Sequence, residues 1–219
     1  MRCIITGASR GIGLELARQL SARGDSVVAT TTGPAAADED GVWDQLDVTD
    51  AGAVRAFAAR HPEPLDLLVC NAGVYLDKLQ DLETGFDAAM WARTFAVNVT
   101  GVFLTVQALL PQLRHAPAAR IAVISSQMGR SSEAPGGSFI YRASKAAALN
   151  LGRNLAAELK PEDIAVGIYH PGWVQTDMGG KAADLVPATS AAGLIERFDH
   201  LSPATTGCFE TWDGQALAY

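Results

Sequence analysis

Short, almost unbroken apolar runs alternate with longer stretches of helical periodicity along the whole chain. The strand candidates are Arg2–Thr6, Ser26–Thr31, Gly41–Asp47, Leu65–Cys70, Arg120–Ser125, Ile164–Tyr169 and Gly207–Thr211. Runs such as Leu65-Asp66-Leu67-Leu68-Val69-Cys70 and Ile121-Ala122-Val123-Ile124 have the composition of strands covered on both faces. The helix candidates are Gly11–Arg23, Asp50–Arg60, Asp87–Leu113, Phe139–Leu159 and Ser190–Leu201. In the first of them Ile12, Leu16 and Leu20 recur at helical spacing and would pack on a sheet. This alternation predicts an α/β fold: a Rossmann-type, doubly wound parallel sheet of about seven strands with helices on both faces. No repeat or linker interrupts it, so residues 1–219 read as a single domain. The longer loops, Gly33–Asp40, Gly129–Ser138 and Gly172–Pro187, follow carboxyl ends of strands, where open α/β sheets bind ligands.

At 219 residues, 48% hydrophobic and 19% charged, the chain can bury one large core. A net charge of -7 without a lysine/arginine block excludes nucleic acid as the main partner. Thr94–Leu113 is uncharged and long enough to cross a bilayer. It also holds Asn98, Gln107, Pro111, Gln112 and three threonines, so it reads as a buried helix of a soluble protein rather than a membrane span. The first residues enter a strand at once, leaving no room for a signal peptide. Cys3, Cys70 and Cys208 are far apart with no Cys-x-x-Cys, so neither disulfides nor zinc are expected and a reducing, cytoplasmic compartment fits. His61, His115 and His200 lack ligand spacing, and His170, before Pro171, reads as structural; no metal is expected.

Two segments carry chemistry. The first strand runs straight into Thr6-Gly7-Ala8-Ser9-Arg10-Gly11-Ile12-Gly13, and a helix follows. Glycines there let backbone approach a pyrophosphate, and the helix N-terminus offers free N–H groups to the anion. The second strand ends Val27-Val28-Ala29-Thr30-Thr31-Thr32 with no carboxylate to accept the ribose hydroxyls of NAD, which favours NADP(H) with NAD(H) as the alternative. Asp38-Glu39-Asp40 in the next loop weigh the other way. The second segment is Tyr141-Arg142-Ala143-Ser144-Lys145, which on a helix puts Tyr141 and Lys145 on one face. A phenol titrates near ~10, and bringing it to about 7 takes roughly 4 kcal/mol, for which an ammonium is one source.

The spacing Thr-Gly-x-x-x-Gly-x-Gly resembles the short-chain dehydrogenase/reductase family, as do Asp47-Val48 after the third strand and Asn71-Ala72-Gly73 after the fourth. Ser126-Gln127-Met128-Gly129, Pro171-Gly172-Trp173-Val174-Gln175-Thr176-Asp177-Met178-Gly179-Gly180 and Gly207-Cys208-Phe209 look like its C-factor-like branch, which includes the sniffer type of carbonyl reductase. The resemblance implies a catalytic tetrad of Asn98, Ser126, Tyr141 and Lys145, with Ser125 the weaker alternative to Ser126. Tyr141 would act as general acid/base, Ser126 would bind the substrate oxygen, Lys145 would lower the phenol and hold the ribose, and Asn98 would hold a water. For the cofactor it implies Gly7, Ser9, Arg10, Gly11, Ile12, Gly13, Thr31, Asp47, Val48, Asn71, Ala72, Gly73, Pro171, Gly172, Val174 and Thr176 besides Tyr141 and Lys145. Arg10 stands where NADP-preferring relatives carry a basic residue, whereas Thr32 stands where many carry arginine. Residues 179–201 would form the substrate lid region, with Gly179–Pro187 as its mobile part and Tyr75, Met128, Trp173 and Leu185 as pocket walls. The expected activity is hydride transfer between NADP(H) and a small-molecule carbonyl or alcohol, in a homodimer or homotetramer. The other reading is a dinucleotide-binding signalling or sensor protein with little turnover.

Overall fold

Strand pairing follows the expected logic. The computed structural model describes residues 1–33, 41–83 and 85–219. The strands are β1 (Arg2–Ile5), β2 (Ser26–Thr31), β3 (Val42–Gln45), β4 (Leu67–Cys70), β5 (Arg120–Ile124), β6 (Ala165–His170) and β7 (Phe209–Thr211). They form one seven-stranded sheet in the order β3-β2-β1-β4-β5-β6-β7, with every neighbouring pair parallel. Ile5 of β1 stands between Ala29 of β2 and Val69 of β4. The winding reverses between β1 and β4, which opens a crevice at the carboxyl ends of those strands.

The helices are α1 (Gly11–Ala22), α2 (Ala51–Arg60), α3 (Ala88–Phe95), α4 (Gly101–Arg114), α5 (Phe139–Leu159) and α6 (Pro187–His200). Strand side chains alternate faces, so Ile4 and Leu68 join one core while Ile5 and Val69 join the other. The first core holds Phe57 of α2, Val106, Leu109 and Leu113 of α4, and Leu149 of α5. The second holds Leu16 and Leu20 of α1 with Leu194 and Phe198 of α6. Each such side chain contributes about 1.5–3 kcal/mol by leaving water. Both faces are therefore covered, as unbroken apolar strands require.

Differences from the expected boundaries have local causes. α6 begins at Pro187 rather than Ser190, because proline suits a first helical turn. The 179–201 stretch is thereby divided. Its helical part buries Ser190, Ala191, Leu194 and Phe198. The expected Asp87–Leu113 helix runs from Ala88 to Arg114, with Asp87 as its cap accepting from Ala89 N at 2.9 Å. One π-helical turn, Ala96–Thr100, interrupts it and carries Asn98; such widened turns recur at functional sites. By length and composition this helix passes for a membrane span. Its Val102, Val106, Leu109 and Leu113 nevertheless lie in the core.

Candidate active site

The crevice between β1 and β4 is lined by backbone. Gly7 has φ +67, and a Cβ on it would sit 2.7 Å from Ala72 Cα. A Cβ on Gly13 would sit 2.4 Å from Asn71 Nδ2 and 2.5 Å from the Gly7 carbonyl oxygen. Asn71 locks this turn: its amide donates to the carbonyls of Thr6 at 3.0 Å and Gly7 at 2.8 Å. Thr6 Oγ1 accepts from the backbone N–H groups of Asn71 and Ala72, both at 3.1 Å. No side chain caps α1 after the extended Arg10, and its first turn has no acid. The early N–H groups of α1 therefore face the crevice with no side-chain acceptor, and backbone stands where any larger residue would intrude. That donor set fits a pyrophosphate.

Thr176 closes the cradle from the other side, its Cγ2 3.2 Å from where a Gly11 Cβ would stand. The segment bearing it is pinned by Ser190 Oγ donating to Pro171 O at 2.6 Å and by a bridge between the buried Val174 and Leu185. At the end of β2, Thr31 is buried and its hydroxyl accepts from Gly33 N at 3.2 Å. Asp38-Glu39-Asp40 lie outside the described residues. Arg10 Nη1 lies 3.3 Å from Asp177 Oδ2, and both side chains are more than three-quarters exposed. An ion pair that wet contributes little, so the guanidinium is free to exchange partners. Asp47 instead closes its own turn. It accepts from Thr49 N at 2.9 Å and Thr49 Oγ1 at 2.6 Å, and those bonds hold its carboxyl below the usual range. Val48 packs under the long helix, 2.7 Å from where a Gly101 Cβ would be.

The four expected catalytic residues converge beside this cradle. Asn98 pairs with the Val74 backbone in both directions, accepting at 2.8 Å and donating at 2.9 Å, and also donates to Ser144 Oγ at 3.0 Å. A Cβ on Gly73 would stand 3.5 Å from Asn98 Oδ1 and 3.6 Å from Lys145 Nζ, so this glycine borders both. Ser126, at the end of β5, accepts from Met128 N at 3.1 Å and lies near enough to the Tyr141 hydroxyl to lower its titration. Ser125 turns the other way and donates to Lys145 O at 3.1 Å, which leaves Ser126 as the serine at the phenol. The short turn Gln127–Gly129 packs against α5 so closely that a Gly129 Cβ would lie 2.6 Å from the Lys145 carbonyl carbon.

Charge at this site departs from expectation. Lys145 is 5% exposed, its Nζ donates to Ile124 O at 2.9 Å, and it lies 5.7 Å from the centre of the Tyr141 ring. Burial brings the ammonium down to about 8. The Tyr141 phenol is not depressed. Burial pushes it up, the nearby Ser126 hydroxyl opposes this, and the neighbouring Tyr75 and Asp77 side chains push it further up. The low-dielectric surroundings outweigh the ammonium one turn away, because that ammonium faces a strand carbonyl.

Three neighbours were given no role by the sequence. Met178 Sδ accepts from the Tyr141 hydroxyl at 3.9 Å, and Lys78 Nζ donates to Met178 O at 2.9 Å. Asp77 is fully buried and accepts from Ile140 N at 2.8 Å at the start of α5. Of the expected pocket walls, Tyr75 stacks on Tyr141 with ring centres 4.2 Å apart. Trp173 is exposed and donates to Gly179 O at 3.0 Å. A cavity of about 350 Å³ lined by Arg55, Pro62, Pro111 and His115 involves none of these residues. Among the described residues no cluster of three or more His, Cys, Asp or Glu is placed to hold a metal ion.

His170 ends β6 buried, with Nδ1 unpartnered. Burial, then Arg130, brings its ring from 6.5 down to about 4. Its folded pKa lies below the unfolded one, so the unfolded chain binds the proton first. Stability should therefore fall as pH drops from about 6.5 to about 4, by about 3 kcal/mol in all. Urea denaturation across that range should show this slope in the wild type and a shallower one in His170→Gln; equal slopes would contradict it.

A family model for short chain dehydrogenase matches residues 2–185. The C-signal of Myxococcus xanthus is 39% identical over 168 residues, spanning 76% of this chain and 100% of that protein. The NADPH-bound carbonyl reductase from chicken fatty liver superposes with a TM-score of 0.90 at 29% identity, covering 100% of this chain and 98% of that one. For the carbonyl reductase Sniffer of D. melanogaster the values are 0.92, 26%, 100% and 99%. A family model matched over most of the sequence, on a fold shared from end to end, gives one assignment: the chain belongs to the short-chain dehydrogenase family, a family of oxidoreductases.

Proposed function

We propose that the protein is a cytoplasmic, NADP(H)-dependent reductase of small carbonyl compounds, working as a homodimer or homotetramer. The observation that carries this reading is the buried Tyr141 hydroxyl. It stands beside Ser126, one helical turn from Lys145, on α5 next to the glycine cradle. A nicotinamide held in the crevice supplies the hydride. The chain's own part is to place and protonate the substrate oxygen. Because burial keeps the phenol above its ordinary value, Tyr141 holds its proton at neutral pH and gives it to the carbonyl oxygen as that oxygen gains charge. Ser126 Oγ donates to the same oxygen. Lys145, titrating near about 8, remains largely cationic at neutral pH and favours the phenolate left behind. Asn98 fixes the Val74 backbone beside Lys145. Exposed Phe103 on α4 and Phe139 on α5 support self-association through those helices.

Support for NADP(H) over NAD(H) comes from the acid-free end of β2 and from Arg10, together with the NADPH in the similar chicken reductase. Arg10→Ala should weaken NADPH binding about tenfold, or ~1.4 kcal/mol, and leave NADH binding unchanged. Fluorescence titration of both dinucleotides checks this, and equal losses for the two would contradict the role of Arg10. Similarity to the C-signal favours a second reading, a dinucleotide-binding signalling protein with little turnover. Cofactor oxidation with a panel of aldehydes, ketones and quinones separates the two: turnover supports the reductase, and binding without turnover supports the signal.

A further inference from the structure

The start of the catalytic helix is held from a distance. Ser138, the residue before α5, is left-handed (φ 49) and does not cap the helix. Its hydroxyl is bonded to Tyr75 Oη instead. The preceding stretch from Ser131 to Gly137 is exposed and gives α5 no buried anchor. The N–H groups of the first turn are met by Asp77, sixty-odd residues earlier in the chain. Its Oδ2 accepts from Ile140 N at 2.8 Å and from Tyr141 N at 3.4 Å, and its Oδ1 accepts from Tyr141 N at 3.2 Å. Asp77 is 0% exposed. A buried carboxylate is costly unless it is hydrogen-bonded, and here both its oxygens accept from backbone N–H groups of Ile140 and Tyr141, the latter the residue that bears the phenol. The segment that follows Asn71-Ala72-Gly73 is thus tied twice to the segment that carries Tyr141.

We propose that Asp77 is the positioning residue of the acid/base Tyr141, clamping the first turn of α5 so that the phenol stays against Ser126. This rests on the reading of Tyr141 as the proton donor. Asp77 acts on Tyr141 in two ways: it fixes the backbone, and its negative charge holds the proton on the phenol. The groups that face the phenol are Tyr75 and Asp77 after β4, Ser126 at the end of β5, Lys145 on α5, and Met178, which carries Lys78 on its carbonyl. Of these, Asp77 is the carboxyl tied to the backbone of the helix that carries the phenol.

The test compares wild type, Asp77→Asn, Asp77→Ala and, as reference, Tyr141→Phe, each normalised to the fraction that binds NADPH. Asp77→Asn keeps one acceptor and Asp77→Ala keeps none. The expected kcat loss is at least tenfold in Asp77→Asn and larger in Asp77→Ala, with NADPH affinity within twofold of wild type. In the oxidation direction, where the phenolate is the base, the pH at half-maximal kcat should move down by a similar amount in both, since both lose the same charge. A merely structural clamp would lower stability and leave that midpoint in place, which overturns the proposal. So does an unchanged kcat, or a failure of both variants to bind dinucleotide. If instead the wild type is inactive or Tyr141→Phe is as active as wild type, it is the reading of Tyr141 that fails.

Discussion

Tyr141→Phe should lose between 10²- and 10⁴-fold in kcat, the range a positioned general acid contributes, while binding NADPH as wild type does. In free energy this is roughly 3–5 kcal/mol at ~1.36 kcal/mol per tenfold. The variant should fold normally. Tyr141 is 7% exposed, and phenylalanine keeps the ring and its stacking on Tyr75. Ser126 still accepts from Met128 N, so no buried hydroxyl is left wholly unpaired and the stability change should stay within about 1 kcal/mol. Steady-state kinetics on one responsive carbonyl, with dinucleotide titration and thermal unfolding on the same preparation, measure all three. Turnover within a few-fold of wild type would remove Tyr141 from the chemistry.

Gly13→Ala should abolish tight dinucleotide binding, with a loss of at least about 100-fold, and destabilise the fold by about 3 kcal/mol. One methyl group does this because it has nowhere to go. It would stand 2.5 Å from the Gly7 carbonyl oxygen and 2.4 Å from the Asn71 amide nitrogen that donates to that carbonyl. Relief requires parting α1 from the glycine turn or breaking the Asn71 bond, and either change moves the N–H groups that fit a pyrophosphate. For a domain of this size the expected fall in Tm is roughly 6–12 °C. Differential scanning calorimetry and NADPH titration check the two effects. Wild-type affinity in this variant would mean that the anion lies elsewhere.

Much of this architecture was legible in the residues, and the parts that were not share a physical cause. β2 and α5 have the expected limits because unbroken apolar runs and a long helical stripe admit one reading each. The glycine turn was readable because three glycines between a strand and a helix have few other uses. The tetrad residues were assigned by resemblance, and the structure brings all four to one end of the sheet. The π turn at Ala96–Thr100 left no periodic trace, since Phe95-Ala96-Val97-Asn98-Val99 is apolar almost throughout and so hides the phase shift of an extra residue. How deeply α6 is buried was not legible, because Ala191, Leu194 and Phe198 pack on α1, a partner nearly two hundred residues away. Asp77 was silent for the same reason. A carboxylate among leucines reads as surface until the start of α5 is folded against it. The phenol's shift could not be read from Tyr-x-x-x-Lys, because spacing gives proximity and not the direction of the ammonium, which here faces Ile124 O.

The central claim is that these residues hold a nicotinamide and a carbonyl so that a hydride passes between them. It is tested most directly by tracing that hydrogen. NADPH carrying deuterium at C4, prepared separately for each face of the ring, is incubated with the protein and a carbonyl from the panel, and the alcohol is analysed by mass spectrometry. One of the two preparations should yield alcohol one mass unit heavier, at a rate that collapses in Tyr141→Phe. Alcohol that carries no deuterium from either preparation, or a failure to consume dinucleotide with any carbonyl while binding it tightly, would contradict it.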